Sequence, residues 1–314
     1  MGMEQAGHKC TYSVEWDKHK RKIYGIIFGG EPEGANIRKL HANDIPRSDI
    51  WTFGAPCQDF SIAGTRSGLE GDRSSLIREV FRLVRETQEE HRPKYLLYEN
   101  VKGMLSSNKG FDYLEILSEM ESLGYSLEWE LLNSKDFGVP QNRERVFTLG
   151  HFRGRGSRKI FPVRGSCQPI EINIIGSTKG EQCTRQGHRD LVYDTEGTMG
   201  CLLGSDYKQP KQILQIGNCM ANGKRDNPNQ GRVYAADGIS PTLSKMEGGG
   251  RQPMIAKDYR IRKLTPKECW RLQGIPDEIT DKVIQAGISD TQLYRGAGDS
   301  CTCQVIYEIA KKLT

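Results

Sequence analysis

Much is missing from this sequence. No apolar run approaches the roughly 20 residues needed to cross a bilayer. The opening stretch MGMEQAGHKC has none of the apolar core of a signal peptide. A cytoplasmic protein without a membrane partner is therefore expected. The nine cysteines are an odd number, scattered from Cys10 to Cys303 without a CxxC pair, so reduced thiols are expected rather than a disulfide framework. Only Cys301-Thr302-Cys303 brings two soft ligands together, and no metal site is expected. Net charge is also scarce, at +5. What basic excess there is falls in two windows, HFRGRGSRKIFPVRG (151–165) and GNCMANGKRDNPNQGR (217–232). Basic loops carrying Gly, Asn and Gln suit a polyanionic partner. Hydrophobic residues make up 36% of the 314, enough for the core of one large domain or two smaller ones.

Up to about residue 150, strand and helix signals alternate. Ile50-Trp51-Thr52-Phe53 reads as a buried strand. Ser74 and Ser75 can cap a helix whose apolar positions Leu76, Ile77, Val80, Phe81 and Val84 recur at spacings of three and four, and which must end before Pro93. Tyr95-Leu96-Leu97-Tyr98 reads as a second buried strand. A further helix, around Tyr113 to Leu123, is expected to carry Leu114, Leu117 and Met120 on one face and to stop at Gly124. Residues 126–132 and 145–149 read as two more strands. Such alternation predicts an open, mostly parallel sheet covered by helices, with ligands beyond the carboxyl ends of the strands, where Cys57 and Glu99 both fall.

From about 165 to 257 the texture changes. Gly, Asn, Gln and Pro become frequent, helical periodicity disappears, and only short strand-like runs remain, near 170–175 and 213–216. A separate loop-rich, mostly β lobe is expected there. Helical character returns at Thr265-Pro266-Lys267-Glu268, which has the residues of a capping box, and a last helix is expected from about 302 to 313. The chain thus divides into 1–164, a first part; 165–257, the lobe; and 258–314, a hinge and return to the first domain.

Three motifs carry chemistry. GAPCQDFSIAG places Cys57 on a bent loop after a strand, YENVKGM ends a strand on Glu99, and QNRERVF holds Gln141, Arg143 and Arg145. Four further segments accompany them: SVEWD (13–17), GRVYAADGISPTL (231–243), RKLTPKECWRLQGIPD (262–277) and GDS (298–300). In this order and spacing the chain resembles the DNA cytosine-5 methyltransferases of bacterial and phage restriction–modification systems. That resemblance implies an α/β, Rossmann-like fold dependent on S-adenosylmethionine, with a smaller target-recognition lobe.

The chemistry explains the residue types. Carbon 5 of cytosine is too weak a nucleophile to accept a methyl group until a thiolate adds to carbon 6, which is covalent catalysis by an activated cysteine. The resemblance gives that role to Cys57. Glu99 would protonate ring nitrogen 3, with its pKa expected to be raised by burial. Arg145 would stand near the base carbonyl and favour the thiolate, while Arg143 would buttress the catalytic loop. For the methyl donor, S-adenosylmethionine, the resemblance implies Glu15 at the end of a second strand on the ribose hydroxyls, Trp16 against the adenine, and Asn36, Ile37, Pro56, Asp299 and Ser300 nearby. Two of these depart from the commoner pattern: Asn36 stands where many members have Asp, and Asp299 where they have Asn. Asn36 is expected to accept through its amide oxygen.

The lobe would face double-stranded DNA while the target cytosine is flipped out of the stack. Gln58, Ser61, Arg225, Asn229, Gln230 and Arg232 are the candidate DNA-contacting side chains, the last four suited to purine edges. A monomer is expected, with a cognate restriction endonuclease acting at the same site. The family opens with a strand and an F-x-G-x-G-G turn, whereas this sequence starts at Met1-Gly2-Met3-Glu4. The first strand and the cofactor turn are thus expected to be missing, with marginal folding and weak donor binding as the consequence. Two alternatives stand beside the main reading: an RNA cytosine-5 methyltransferase, and a non-catalytic DNA-binding remnant with an impaired cofactor site.

Overall fold

The computed structural model describes residues 1–54, 75–156, 158–165 and 264–313, and the backbone of six short strands between 174 and 263. By their contacts the residues form two compact units. The first comprises Met1–Asn133, Glu144–Arg164 and Val305–Thr314; the second comprises Ser134–Arg143 and Gly165–Gln304.

The first unit opens with a short helix, α1 (Gly2–Gln5), and continues to α2 (Lys18–Phe28), whose start is fixed by the Asp17 carboxylate accepting from the backbone of His19 and Lys20. Four strands then make its sheet: β1 (Ile50–Gly54), β2 (Tyr95–Val101), β3 (Tyr125–Asn133) and β4 (Glu144–Phe152), in the spatial order β1-β2-β4-β3. Between β1 and β2 lies α3 (Ser75–Glu86), and between β2 and β3 lies α4 (Phe111–Ser122). Only β1 and β2 run parallel; β4 is antiparallel to both β2 and β3. The mostly parallel sheet expected from the alternation therefore holds for one of these three pairings. The reason is chain length: the 134–143 connection leaves no room for the helical crossover that a parallel neighbour requires.

Ile77, Phe81 and Val84 of α3, Leu96 and Tyr98 of β2, and Tyr113, Ile116 and Met120 of α4 make one apolar cluster. Each such side chain contributes roughly 1.5–3 kcal/mol when removed from water. The face of α4 differs from the expected one. Tyr113, Ile116 and Met120 point inward, while Leu114 is 58% exposed. Tyr113 can take the core position because its hydroxyl bonds Thr148 Oγ1 at 2.9 Å, and one helical step turns Leu114 away. Gly124 follows at φ +93°, the left-handed conformation its position suggested. Strand β1 is half-buried rather than buried, and among the described residues it pairs only with β2.

In the second unit, β7 (Gln215–Asn218), β8 (Arg232–Ala235), β9 (Met254–Lys257) and β10 (Arg260–Lys263) form a sheet in sequence order. A two-stranded pair, β5 (Ile174–Ser177) and β6 (Leu191–Tyr193), stands beside it in sequence. Helices α5 (Pro266–Arg271), α6 (Asp277–Gln285) and α7 (Asp290–Asp299) follow. The capping box forms as the sequence requires: Glu268 N donates to Thr265 Oγ1, and Thr265 N donates to Glu268 Oε2 at 2.7 Å. The last helix, α8 (Cys303–Ala310), is shorter than expected, and from Val305 on it belongs to the first unit.

Candidate active site

The carboxyl end of β2 carries Glu99, and its neighbour β4 begins at Glu144. The register sets Val101 opposite Arg145 and Glu99 opposite Phe147. Glu99 and Arg145 are thus diagonal neighbours on one face, a spacing that long side chains bridge. Arg145 Nε lies 3.1 Å from Glu99 Oε1, with the two side chains 14% and 19% exposed. Glu99 thus has a cation at contact distance. Next to it, Asn100 is buried and rigid: its Nδ2 donates to Tyr98 Oη at 2.6 Å and its Oδ1 accepts from Val101 N. The Tyr98 hydroxyl donates to Met104 Sδ at 3.2 Å, and burial pushes its phenol well above the ordinary range.

Strand β1 ends at Gly54, paired in parallel register with Glu99. A Cβ at Gly54 would stand 3.3 Å from Glu99 Oε2 and 3.4 Å from its carbonyl oxygen. The absent side chain at Gly54 thus makes room for the carboxylate, a role its place in GAPC did not reveal. Pro56, Cys57, Gln58 and Ser61, just beyond, lie outside the described residues. Among the described cysteines, Cys269 and Cys303 are buried, and burial pushes the Cys269 thiol up to about 12 and raises that of Cys303. Buried thiols of this kind are inert rather than nucleophilic.

Gln141 and Arg143 sit in the loop between β3 and β4, within the second unit. Both are buried. Arg143 Nη2 donates to the carbonyls of Gly298 at 3.0 Å and Ser300 at 2.8 Å. Gln141 is 0% exposed, and neither its amide nitrogen nor its amide oxygen has a hydrogen-bond partner among the described residues. An amide left so costs about 1–3 kcal/mol. The motif QNRERVF drew attention to its arginines, and the orphaned glutamine is legible only in three dimensions.

The residues expected at the methyl donor fall on both units. In the first unit, Trp16 is 79% exposed, which core packing does not explain. Glu15 is half-buried and accepts Asp17 N on Oε1 at 2.9 Å. The strand expected at Glu15 is a single parallel bridge, Val14 to Gly34, with Glu15 N donating to Gly34 O. Asn36 caps the 3₁₀ turn Ile37–Lys39, its Oδ1 accepting from Arg38 N at 3.0 Å, so the oxygen offered for the donor is already in use once. Ile37 opens that turn and is half-buried. In the second unit, Asp299 ends α7, and Ser300 Oγ donates to Gly296 O at 2.6 Å. Of the DNA-reading candidates, Arg225, Asn229 and Gln230 lie outside the described residues, and Arg232 opens β8, of which the backbone alone is described.

No described helix is long and apolar enough to cross a membrane. The family model described as C-5 cytosine-specific DNA methylase matches residues 1–314. The type II methyltransferase M.HhaI of Haemophilus parahaemolyticus is 31% identical over 312 residues, 99% of this chain and 89% of that protein. The type II methyltransferase M1.ScrFI of Lactococcus lactis subsp. cremoris is 33% identical over 311 residues, 97% of this chain and 72% of that protein. Among solved structures, the S. pombe Dnmt2 methyltransferase matches with a TM-score of 0.66 over 99% of this chain and 94% of its own, at 18% identity, a likeness of fold. With the family matched from end to end and relatives above 30% identity along nearly the whole chain, this protein belongs to the C-5 cytosine-specific DNA methylases and is an enzyme that methylates carbon 5 of cytosine in DNA.

Proposed function

We propose that Cys57 is the nucleophile of this reaction, Glu99 the acid at ring nitrogen 3, Arg145 the cation beside both, and S-adenosylmethionine the methyl donor. The observation that carries this reading is the Glu99–Arg145 pair at 3.1 Å, set by strand register next to Gly54, three residues before Cys57. The Cys57 thiolate adds to carbon 6, forming the C–S bond while the ring electron pair moves toward carbon 5 and nitrogen 3. Glu99 gives its proton to nitrogen 3, so no negative charge accumulates on the ring. Arg145 holds the Glu99 carboxyl group in place, takes up the negative charge left on it once the proton has gone, and stabilises anionic sulfur. After methylation a base removes the carbon 5 proton, the electron pair expels the thiolate, and nitrogen 3 returns its proton to Glu99.

The residues present fit a nucleoside-bearing donor: an exposed indole for a purine face at Trp16, and a carboxylate for ribose hydroxyls at Glu15. Asn36, Ile37, Pro56, Asp299 and Ser300 complete the set we assign to it. S-adenosylmethionine supplies an electrophilic methyl group. Gln58, Ser61, Arg225, Asn229, Gln230 and Arg232 are assigned to the duplex, the lobe 165–257 to target recognition, and a cognate endonuclease to the same DNA site, with the enzyme acting as a monomer.

The test is trapping. Duplex DNA bearing 5-fluorocytosine should form a covalent complex with the wild-type protein in the presence of S-adenosylmethionine, and Cys57→Ala should form none while still binding DNA. Methylation by Cys57→Ala would end the assignment.

A further inference from the structure

Arg143, expected to buttress the catalytic loop, has both hydrogens of its Nη2 on the carbonyls of Gly298 and Ser300. These are the last carbonyls of α7, a helix end that lacks intrahelical partners and favours a cation. A second buried side chain serves the same helix end. Gln273 Nε2 donates to Ala297 O at 2.8 Å. Its Oε1 lies 3.2 Å from Thr302 Oγ1, which in turn lies 2.7 Å from Ser134 Oγ. Ser134 also has two contacts to Arg143 O, from its backbone N at 3.0 Å and from its hydroxyl at 3.3 Å.

Counting protons orients the chain. Two hydroxyls have two hydrogens for three contacts. The shortest contact takes the Ser134 hydrogen, Thr302 then donates to Gln273 Oε1, and Arg143 O keeps the Ser134 backbone N–H. These assignments serve the two hydroxyls, the Gln273 amide and the Arg143 carbonyl, and Ser134, Arg143, Gln273 and Thr302 are all at most 3% exposed. A buried polar network of this kind favours one geometry.

What it fixes is the segment 297–302, which contains Asp299 and Ser300. We infer that Arg143 and the Gln273–Thr302–Ser134 chain are positioning residues for the methyl-donor turn at Asp299 and Ser300. This inference rests on the donor assignment of that turn proposed above.

The experiment measures S-adenosylmethionine affinity by calorimetric titration and DNA affinity by fluorescence anisotropy, on the full chain. Thr302→Val removes the hydroxyl at nearly constant volume. It should weaken donor binding about threefold to tenfold, the scale of one net hydrogen bond, with DNA affinity unchanged. Thr302→Ser keeps the hydroxyl and should restore donor binding. Arg143→Lys cannot hold both carbonyls with the same fork and should weaken donor binding about tenfold or more. Asp299→Ala is the control for the turn itself. If it weakens donor binding while Thr302→Val and Arg143→Lys do not, the positioning role is overturned. Equal losses of donor and DNA affinity, unrescued by Thr302→Ser, would also overturn it, as a global structural effect. If Asp299→Ala and Ser300→Ala leave donor binding untouched, the donor assignment has failed and the inference falls with it.

Discussion

Glu99 and Arg143 are both charged, both in motifs, and held in opposite ways. Glu99 stands on a strand whose backbone is paired on both sides, by β1 and by β4, and its partner is reached by strand register. Arg143 stands in a loop with no ladder, and is placed by hydrogen bonds to residues more than 150 positions later. The first arrangement is local in the sheet and tolerates exposure; the second is buried and held by hydrogen bonds from the guanidinium to backbone carbonyls. Charged side chains in a ladder can be traded at modest cost to the fold, whereas those in a closed polar network cannot.

The comparison is broken most severely at Glu99. Glu99→Gln keeps the shape and removes the acid, so single-turnover methylation should fall about 10²–10⁴-fold while the melting temperature changes little. An unchanged rate would demote Glu99 to a partner of Arg145. Gly54→Ala tests the same ladder more gently. The new methyl group, 3.3 Å from Glu99 Oε2, should displace the carboxylate by a few tenths of an ångström and slow turnover about tenfold. A full-speed Gly54→Ala enzyme would mean that the observed carboxylate position is not the working one.

Gln141 sharpens the other side. Replacing its orphaned amide, Gln141→Leu, should stabilise the protein by about 1–3 kcal/mol, seen as a rise in melting temperature, and lower the rate of methylation. A fall in melting temperature would show that the amide is paired after all.

The smallest effect is at Asp277. Hydrogen bonds from Arg271 and then from Lys267 hold its carboxyl down at about 2, below the ordinary 3.8. A lowered native value means stability that is present above the unfolded value and lost as pH falls toward the native one. The difference in melting temperature between wild type and Asp277→Asn should therefore shrink from pH 5 toward about pH 2. A difference that is constant with pH would remove the ion pair from the account.

The sequence alone determined the elements and the chemistry. Apolar spacing placed α3 and α4, short strand-like runs placed β2 and β4, Thr265-Pro266-Lys267-Glu268 wrote the start of α5, and seven segments in order carried the resemblance that named the reaction. Those signals are local, because helix and strand periods and caps act within a few residues. It missed the inward face of α4, since a tyrosine whose hydroxyl finds Thr148 across the core is indistinguishable in sequence from one facing water. It missed the antiparallel turn of β4 and the empty space at Gly54, both of which depend on which strand lies beside which. Above all it could not foresee that Arg143, Gln273, Thr302 and Ser134 meet, because a hydrogen bond between residues 143 and 300 leaves no period, spacing or composition in the chain. Only the folded backbone brings such groups within hydrogen-bonding distance.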